Sequence, residues 1–210
     1  MQGTRVRVLG HGDWAYLRSV RLRALRDSPD SLFGNLAQER TWRPSQWRSL
    51  LTGSTWFAAF PLSVSRTRRP VGVVRSALEL DPVHGPVSHL ESMWVEPRYR
   101  RNGIASALTR SLVAHAAGQG IHRVTLWVLD GNDIARSAYL RLGFRPTGRV
   151  QPVLKRPGRT EEEMFLELPR GPDTTSCRHR TADCAVHRAV DAGTDIRSAR
   201  EVDAPVILDA

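Results

Sequence analysis

A short arginine-rich segment, residues 95–105, holds the residue types that could bind a phosphate group. It connects an apolar stretch to a long amphipathic stretch with the pattern of a helix. The first N–H groups of a helix have no partner within it, and the helix dipole adds partial positive charge there. Gly103 and Ala105 carry little or no side chain, so a ligand can come close to the backbone. Because Arg98, Arg100 and Arg101 add full positive charges, the segment predicts a phosphate site.

The apolar pattern predicts the elements that position this segment. A strand is expected over residues 87–95 and a helix over residues 103–117, whose apolar stripe recurs at every fourth residue. A buried strand over 122–129 and a helix over 132–142 follow. The remaining expected strands cover residues 5–9, 55–60, 71–80, 144–150 and 164–168, and the remaining helices cover 14–25, 33–39 and a stretch from Pro44.

This order of strands and helices predicts one α/β domain, of the layered α+β kind, over residues 1–169. Residues 170–210 contain no aromatic residue and cannot bury enough apolar surface to offset their conformational entropy, so we expect a disordered C-terminal tail. Both cysteines lie in this tail, so we expect no disulfide framework in the core. Four possible zinc ligands have a spacing that matches no common zinc finger, and we expect no metal site from them: Cys177, His179, Cys184 and His187.

The chain is strongly basic, with 31 lysine and arginine residues against 21 acidic ones and a formal net charge of +10. The arginines are spread along the chain without the interleaved aromatic residues of an RNA-binding surface, so nucleic acid is not the expected partner. No run approaches the roughly 18 apolar residues that span a bilayer, and residues 1–12 contain no signal-peptide-like apolar stretch. We therefore expect a cytoplasmic protein without membrane contact.

Two motifs carry a resemblance to a known family. The first motif is Val95-x-Pro97-x-x-Arg100-x-x-Gly103-x-Ala105. The second motif is Asn132-x-x-Ala135-x-x-x-Tyr139-x-x-x-Gly143-Phe144. With a helix and a strand expected between them, the two together resemble the acyl-coenzyme A signature and the second conserved block of the GCN5-related N-acetyltransferase (GNAT) superfamily.

The resemblance covers about residues 4–168 and implies a particular fold. That fold is a mixed, mostly antiparallel central sheet of six to seven strands, flanked by about four helices and splayed at the strand that ends at Val95. Pro97 would stop the pairing there, because proline has no N–H to give a neighbouring strand. The resemblance also implies acetyl-CoA as co-substrate, lying in the gap as a substitute strand, and an amine as acceptor.

The resemblance further implies which residues bind the coenzyme. Backbone N–H groups over residues 101–106 would hold the pyrophosphate, and the strand edge over 92–95 would hold the pantetheine arm. The N–H of Val95 would polarise the thioester carbonyl. Asn132 would cap the helix that it precedes, contact the pantetheine arm, or do both. The expected coenzyme-binding residues are Met93, Trp94, Val95, Arg100, Arg101, Asn102, Gly103, Ile104, Ala105, Ser106 and Asn132.

Tyr139 is the expected general acid, because a phenol can give a proton to the coenzyme A thiolate as it leaves. The sequence leaves the general base open. Glu91 is the first candidate, and the alternation of a regular strand places it on the same face as Met93 and Val95. In many family members the acidic residue lies two positions earlier, where this chain has His89, and a water chain is a further alternative.

Two functions stay open on these grounds. The first is an acetyl-CoA-dependent N-acetyltransferase, in which a neutral amine attacks the thioester directly in a ternary complex. The second is a module that senses acetyl-CoA without turning it over. The resemblance places the acceptor site at residues 27–51, where Glu39 would hold a cationic substrate, and at the loop over 151–160. A small amine, an antibiotic, a protein N-terminus and a lysine side chain all stay open as acceptors, and so does the oligomeric state, a homodimer included.

Overall fold

The computed structural model describes residues 3–29, 32, 34–62, 69–153 and 156–169. The tail over 170–210, with its cysteines and histidines, lies outside the described residues. Within them the chain forms seven strands and five α-helices. The strands are β1 (Thr4–Val8), β2 (Thr55–Pro61), β3 (Gly72–Asp81), β4 (Gly85–Val95), β5 (Arg123–Leu129), β6 (Arg145–Pro152) and β7 (Thr160–Glu167). The helices are α1 (Trp14–Asp27), α2 (Leu36–Arg40), α3 (Pro44–Gly53), α4 (Ile104–Gly118) and α5 (Asp133–Arg141).

The seven strands form one mixed sheet in the order β1-β2-β3-β4-β5-β7-β6. Every neighbouring pair is antiparallel except β4 and β5, which are parallel. This arrangement confirms the predicted layered α/β fold with a mostly antiparallel sheet. In the described part of the chain, no helix is both long and apolar enough to cross a bilayer.

Helices cover both faces of the sheet. α4 and α5 pack on the face that carries Met93 and Val95, which we call the α4 face. α1 and α3 pack on the opposite face, the α1 face, whose core includes Trp56, Val73 and Trp94. The apolar stripe expected from the sequence fixes α4 to its face, since all four members are buried: Ile104, Leu108, Leu112 and Ala116.

A β-bulge interrupts β4 shortly before its end. In the ladder with β3, Arg75 pairs with Glu91, and Val73 pairs with Trp94. Two steps along β3 therefore match three steps along β4, so that two residues of β4 lie opposite one residue of β3. The first of the two, Ser92, has a φ of 52°, in the left-handed region that side chains disfavour. The extra residue changes which side chains share a face.

The bulge corrects one expectation from the sequence. Side chains that lie directly opposite each other in an antiparallel pair point to the same face, so Glu91 lies on the α1 face with Trp94. Met93 and Val95 belong to the core of the α4 face. The prediction that Glu91 shares a face with Met93 and Val95 is wrong, because the extra residue reverses the alternation of a regular strand.

Candidate active site

The two central strands of the sheet part after a short contact. β4 and β5 pair at only two positions, the second of which joins His89 to Thr125. The His89 Nδ1 and Thr125 Oγ1 atoms lie 2.8 Å apart at this closed end. Beyond it β4 continues to Val95 and β5 to Leu129 without pairing to each other. This gap confirms the splay that was predicted at the strand ending at Val95.

The arginine-rich segment connects the open end of the gap to the start of α4. A 3₁₀ turn over Pro97–Tyr99 follows β4, and Arg101 and Gly103 then adopt φ values of 62° and 74°. Gly103 is the N-cap of α4, where no side chain caps the helix. A Cβ atom added to Gly103 would meet no atom within 4 Å, so the space in front of the helix is open. Left-handed residues and uncapped N–H groups at an open helix start are a backbone arrangement that can bind an anion, so the phosphate site stays a prediction.

The arginines of this segment have different partners. Arg100 donates from Nε to the Val95 carbonyl at 3.0 Å and from Nη2 to the Asp27 carboxylate. Its side chain therefore fastens the segment to β4 and α1, and its contact with the coenzyme stays a prediction. Arg98 pairs with Glu96 at 3.1 Å. Arg101 is exposed, and within the described residues its guanidinium has no ion-pair partner.

The other expected contacts divide into backbone and side-chain roles. Asn102 donates from Nδ2 to the Arg100 carbonyl at 2.9 Å, which holds the segment in shape. Ile104 is buried, so only its backbone faces the space in front of α4. Asn132 is the N-cap of α5 and accepts from the Ala135 N–H at 3.1 Å, the capping role considered from the sequence. It also lines a cavity of about 450 Å³ at the end of β5, together with residues of α5, β6 and β7.

Asp27 is a contact that the sequence does not reveal. Burial alone would raise the pKa of this carboxyl, but hydrogen bonds from Trp94 and Ser28 and the charge of Arg100 outweigh it, so its pKa lies below the ordinary value. Trp94 Nε1 donates to Asp27 Oδ2 at 2.8 Å, and Ser28 Oγ donates at the same distance. The Asp27 carboxylate at the end of α1 thus holds the Trp94 side chain of β4 and the arginine-rich segment together.

We expect Asp27→Asn to lower the stability at pH 7 by about 1 kcal/mol, or roughly 3 °C in Tm, because the amide cannot serve these donors equally. Since the pKa of Asp27 is lowered by folding, the stabilisation is present above about pH 4 and disappears as the pH falls through the folded-state pKa. Thermal unfolding at pH 7, 5 and 3 measures both effects. Asp130→Asn is the control, since Asp130 is exposed. Equal Tm losses in the two variants, or a pH-independent loss in Asp27→Asn, would contradict the assignment.

Tyr139 lies in the core cluster that contains residues from both sides of the gap. Its ring is fully buried and packs edge-on against Phe144, with the ring centroids 5.3 Å apart. Met93 of β4 and Val128 of β5 belong to the same cluster. The phenol oxygen is buried without a hydrogen-bond partner in the described part of the chain, and burial raises the pKa of this phenol well above 10. A buried O–H without a partner is costly, which is expected where a ligand atom completes the site.

The candidates for the general base lie together on the α1 face. Glu91 is buried and forms an ion pair with Arg75, with Oε2 3.0 Å from Nη1. Glu79, His89 and Glu91 bring one nitrogen or oxygen atom each within 4.8 Å of one another. The structure therefore brings the two candidates together without separating their roles.

Two expectations about the acceptor site have different outcomes. Glu39 is buried and bonds to Arg21 at 3.0 Å, so its carboxylate is engaged inside the protein rather than facing a cationic substrate. The two segments assigned to the acceptor site do meet, since Arg156 donates to the Pro29 carbonyl at 2.7 Å. Near them lies Glu161, whose pKa is raised by burial although Gln151 donates to it at 2.7 Å. Residues 30, 31, 33, 154 and 155 of these segments lie outside the described residues.

An open mixed sheet, flanked by helices and parted beside a glycine-capped helix, is the architecture of an acyl-coenzyme A acyltransferase. The family model of the acetyltransferase (GNAT) family matches residues 22–144. The chain belongs to this family, as the two motifs predicted.

Curated relatives match part of the chain. An aminoglycoside N(6')-acetyltransferase type 1 from Acinetobacter genomosp. 13 is 31% identical over 93 residues, which cover 42% of this chain and 64% of that protein. An L-methionine sulfoximine/L-methionine sulfone acetyltransferase from Pseudomonas aeruginosa is 30% identical over 84 residues, 40% of this chain and 48% of that protein. The match therefore spans less than two thirds of either relative.

Solved structures share the fold at low sequence identity. A GNAT-family acetyltransferase from Streptococcus pneumoniae superposes with a TM-score of 0.62 at 18% identity, covering 80% of this chain and all of that one. Arabidopsis thaliana NAA60 in complex with acetyl-CoA superposes with a TM-score of 0.60 at 18% identity, covering 79% of this chain and 98% of that one.

Proposed function

We propose that this protein is an acetyl-CoA-dependent N-acetyltransferase that transfers an acetyl group to a primary amine. The observation that carries the proposal is the gap between β4 and β5, which opens beyond His89 and Thr125 and leads to the uncapped start of α4 at Gly103. The gap suits an extended chain that ends in phosphate, because one strand edge offers backbone groups and the helix start offers N–H groups. Family membership supports the same conclusion.

In this proposal the chain's own groups divide the work. Backbone N–H groups of residues 101–106 bind the pyrophosphate, and the edge of β4 over residues 92–95 binds the pantetheine arm. The Val95 N–H polarises the thioester carbonyl as the neutral amine attacks it. Tyr139 then donates to the leaving sulfur, for which its buried O–H, without a partner in the described part of the chain, is suited. Glu91 takes the amine proton, directly or through water, and His89 is the alternative base.

A thiol-release assay against a panel of amines tests the proposal, with coenzyme binding measured in parallel by calorimetry. The panel should contain aminoglycosides, methionine sulfoximine, peptides with free N-termini and peptides with internal lysine, because the relatives and the open acceptor site give these classes. Release that depends on one class of amine supports the enzyme. Binding of acetyl-CoA with no amine-dependent release would favour the sensor, and absence of binding at millimolar acetyl-CoA would refute both.

We also propose a cytoplasmic location, where the two cysteines stay reduced.

A substitution in the arginine-rich segment tests the proposed phosphate site. We expect Arg101→Ala to weaken coenzyme A binding about 5- to 10-fold at low salt and less at high salt, since an exposed cation with no ion-pair partner among the described residues is available to phosphate. Calorimetry at two ionic strengths measures the change. Arg98→Ala is the matched control, because Arg98 pairs with Glu96 on the same segment. Equal losses for both variants would show that only the general positive field matters.

A further inference from the structure

A buried ion pair on the α1 face reaches the bulge in β4. Arg21 of α1 donates from Nε to Glu39 Oε2 at 3.1 Å and from Nη2 to Oε1 at 3.0 Å. The two side chains are only 2% and 4% exposed. The remaining terminal nitrogen, Nη1, donates to Ser92 Oγ at 3.0 Å. One guanidinium thus joins α1, α2 and the bulged residue in what we call the Glu39–Arg21–Ser92 network.

The bulged residue needs such support. A φ of 52° is unfavourable for any residue with a Cβ atom, and a serine keeps it only when its surroundings fix the conformation. Ser92 is itself buried, at 2% exposure, so the hydrogen bond from Arg21 is shielded from water. The bond reaches from α1 to a residue 71 positions later, and therefore ties the bulge to the helices of the α1 face.

Packing leaves the ion pair little freedom to move. A Cβ atom added to Gly34 would lie 2.6 Å from both Arg21 Nη2 and Glu39 Oε1, so a residue without a side chain covers the pair. The fork of the guanidinium directs two donors at the carboxylate and one at the serine, and lysine cannot reproduce this geometry. The network is therefore closely packed and specific to arginine.

We propose that Arg21, held by Glu39, is a positioning residue for acetyl transfer. By holding Ser92 in the left-handed conformation it fixes the bulge, and the bulge sets how the backbone of residues 92–95 faces the gap. The inference rests on the proposed function, because the thioester is the group that this edge would receive. Because Arg21 is buried, it would act through Ser92 rather than by contact with the coenzyme or the acceptor.

The test compares Ser92→Ala with Ser92→Gly, each measured where circular dichroism shows it folded. Ser92→Ala removes the acceptor for Arg21 but keeps a Cβ atom that disfavours this φ, so we expect kcat to fall about 10- to 30-fold. Ser92→Gly also removes the acceptor, but glycine adopts a positive φ freely, so we expect a smaller fall in kcat, of about 3-fold. Ser88→Ala is the matched control, since it removes another buried serine hydroxyl of β4, which lies 2.7 Å from Ser76 Oγ.

Affinity provides a readout that does not depend on turnover. The network acts where the acetyl group would lie. Ser92→Ala and Arg21→Lys should therefore each weaken the binding of acetyl-CoA about 5-fold more than the binding of free coenzyme A. The Arg21→Lys/Ser92→Gly double variant should recover the wild-type ratio of the two affinities. A merely structural role would weaken both ligands equally and would give no recovery. An unchanged affinity ratio in both single variants overturns the proposal.

Failure of the two proposals can be distinguished. If the wild type releases no thiol with any amine but the affinity ratio shifts as described, the proposed transfer reaction is refuted and the network still positions the coenzyme. If the wild type turns over an amine and Ser92→Ala keeps the full kcat, the network is refuted and the reaction stands. If the wild type binds neither acetyl-CoA nor coenzyme A, both proposals are refuted.

Discussion

Gly103→Val is expected to weaken acetyl-CoA binding at least 100-fold while the protein stays folded. Valine would have to adopt a φ of 74°, and its branched side chain would enter the open space in front of α4. A phosphate that bonds to the first N–H groups of a helix must occupy that same space. A 100-fold loss corresponds to about 2.7 kcal/mol of binding free energy, a size that steric exclusion of the pyrophosphate would exceed.

The chain offers a matched control for this prediction at the other end of α4. Gly120 also has a positive φ, 73°, and an added Cβ atom there would likewise meet nothing within 4 Å. Gly120→Val should therefore cost similar stability through the same backbone strain, yet leave the coenzyme affinity within about 2-fold. Calorimetry gives the affinities, and thermal unfolding gives the stabilities. Equal affinities for the Gly103 and Gly120 variants would remove the phosphate site from this position.

Tyr139→Phe is expected to lower kcat about 100- to 1,000-fold and to leave coenzyme affinity within about 2-fold. The phenyl ring keeps the contact with Phe144, so only the donor to the leaving sulfur is lost. The free protein should become more stable by about 1 kcal/mol, because the substitution removes a buried hydroxyl that has no partner among the described residues. A variant with higher stability and lower kcat would separate the catalytic role of Tyr139 from its role in folding. Steady-state kinetics and thermal unfolding measure the two effects.

The pH dependence gives this prediction a second condition. Burial raises the pKa of Tyr139 well above 10, so the phenol keeps its proton throughout the range in which the enzyme can be assayed. Loss of rate on the alkaline side below pH 10 must then come from another group. Tyr16→Phe is the control, since Tyr16 is 38% exposed on α1. Full rate in Tyr139→Phe across pH 6 to 9 would refute the general-acid assignment.

Elements with a strong apolar period could be predicted closely from the sequence. The helix expected over residues 103–117 is α4, Ile104–Gly118, and the strand expected over 122–129 is β5, Arg123–Leu129. β7 begins at Thr160, four residues before its expected start at 164, because three consecutive glutamates conceal its beginning. The pairing of β7 with β5, from Leu129 to Arg123, keeps these glutamates in a strand that their low strand propensity does not predict.

The features that the sequence conceals are long-range contacts of polar side chains. A bulge that contains no glycine has no local signature, so the face of Glu91 could not be derived from strand alternation. The partners of Arg21 lie 18 and 71 positions away, and Asp27 lies 73 positions from Arg100. Arg100 fits a phosphate motif by its position, and only the folded chain shows its bonds to Asp27 and Val95.

The short ladder between β4 and β5 makes the middle of the sheet its most weakly paired region. Two paired positions join a four-stranded half, β1 to β4, to a three-stranded half, β5, β7 and β6. A molecule that forms main-chain-like hydrogen bonds with both β4 and β5 would hold the two halves of the sheet together. Occupancy of the gap and rigidity of the whole sheet would then rise together, and amide hydrogen exchange along residues 126–129 would report both.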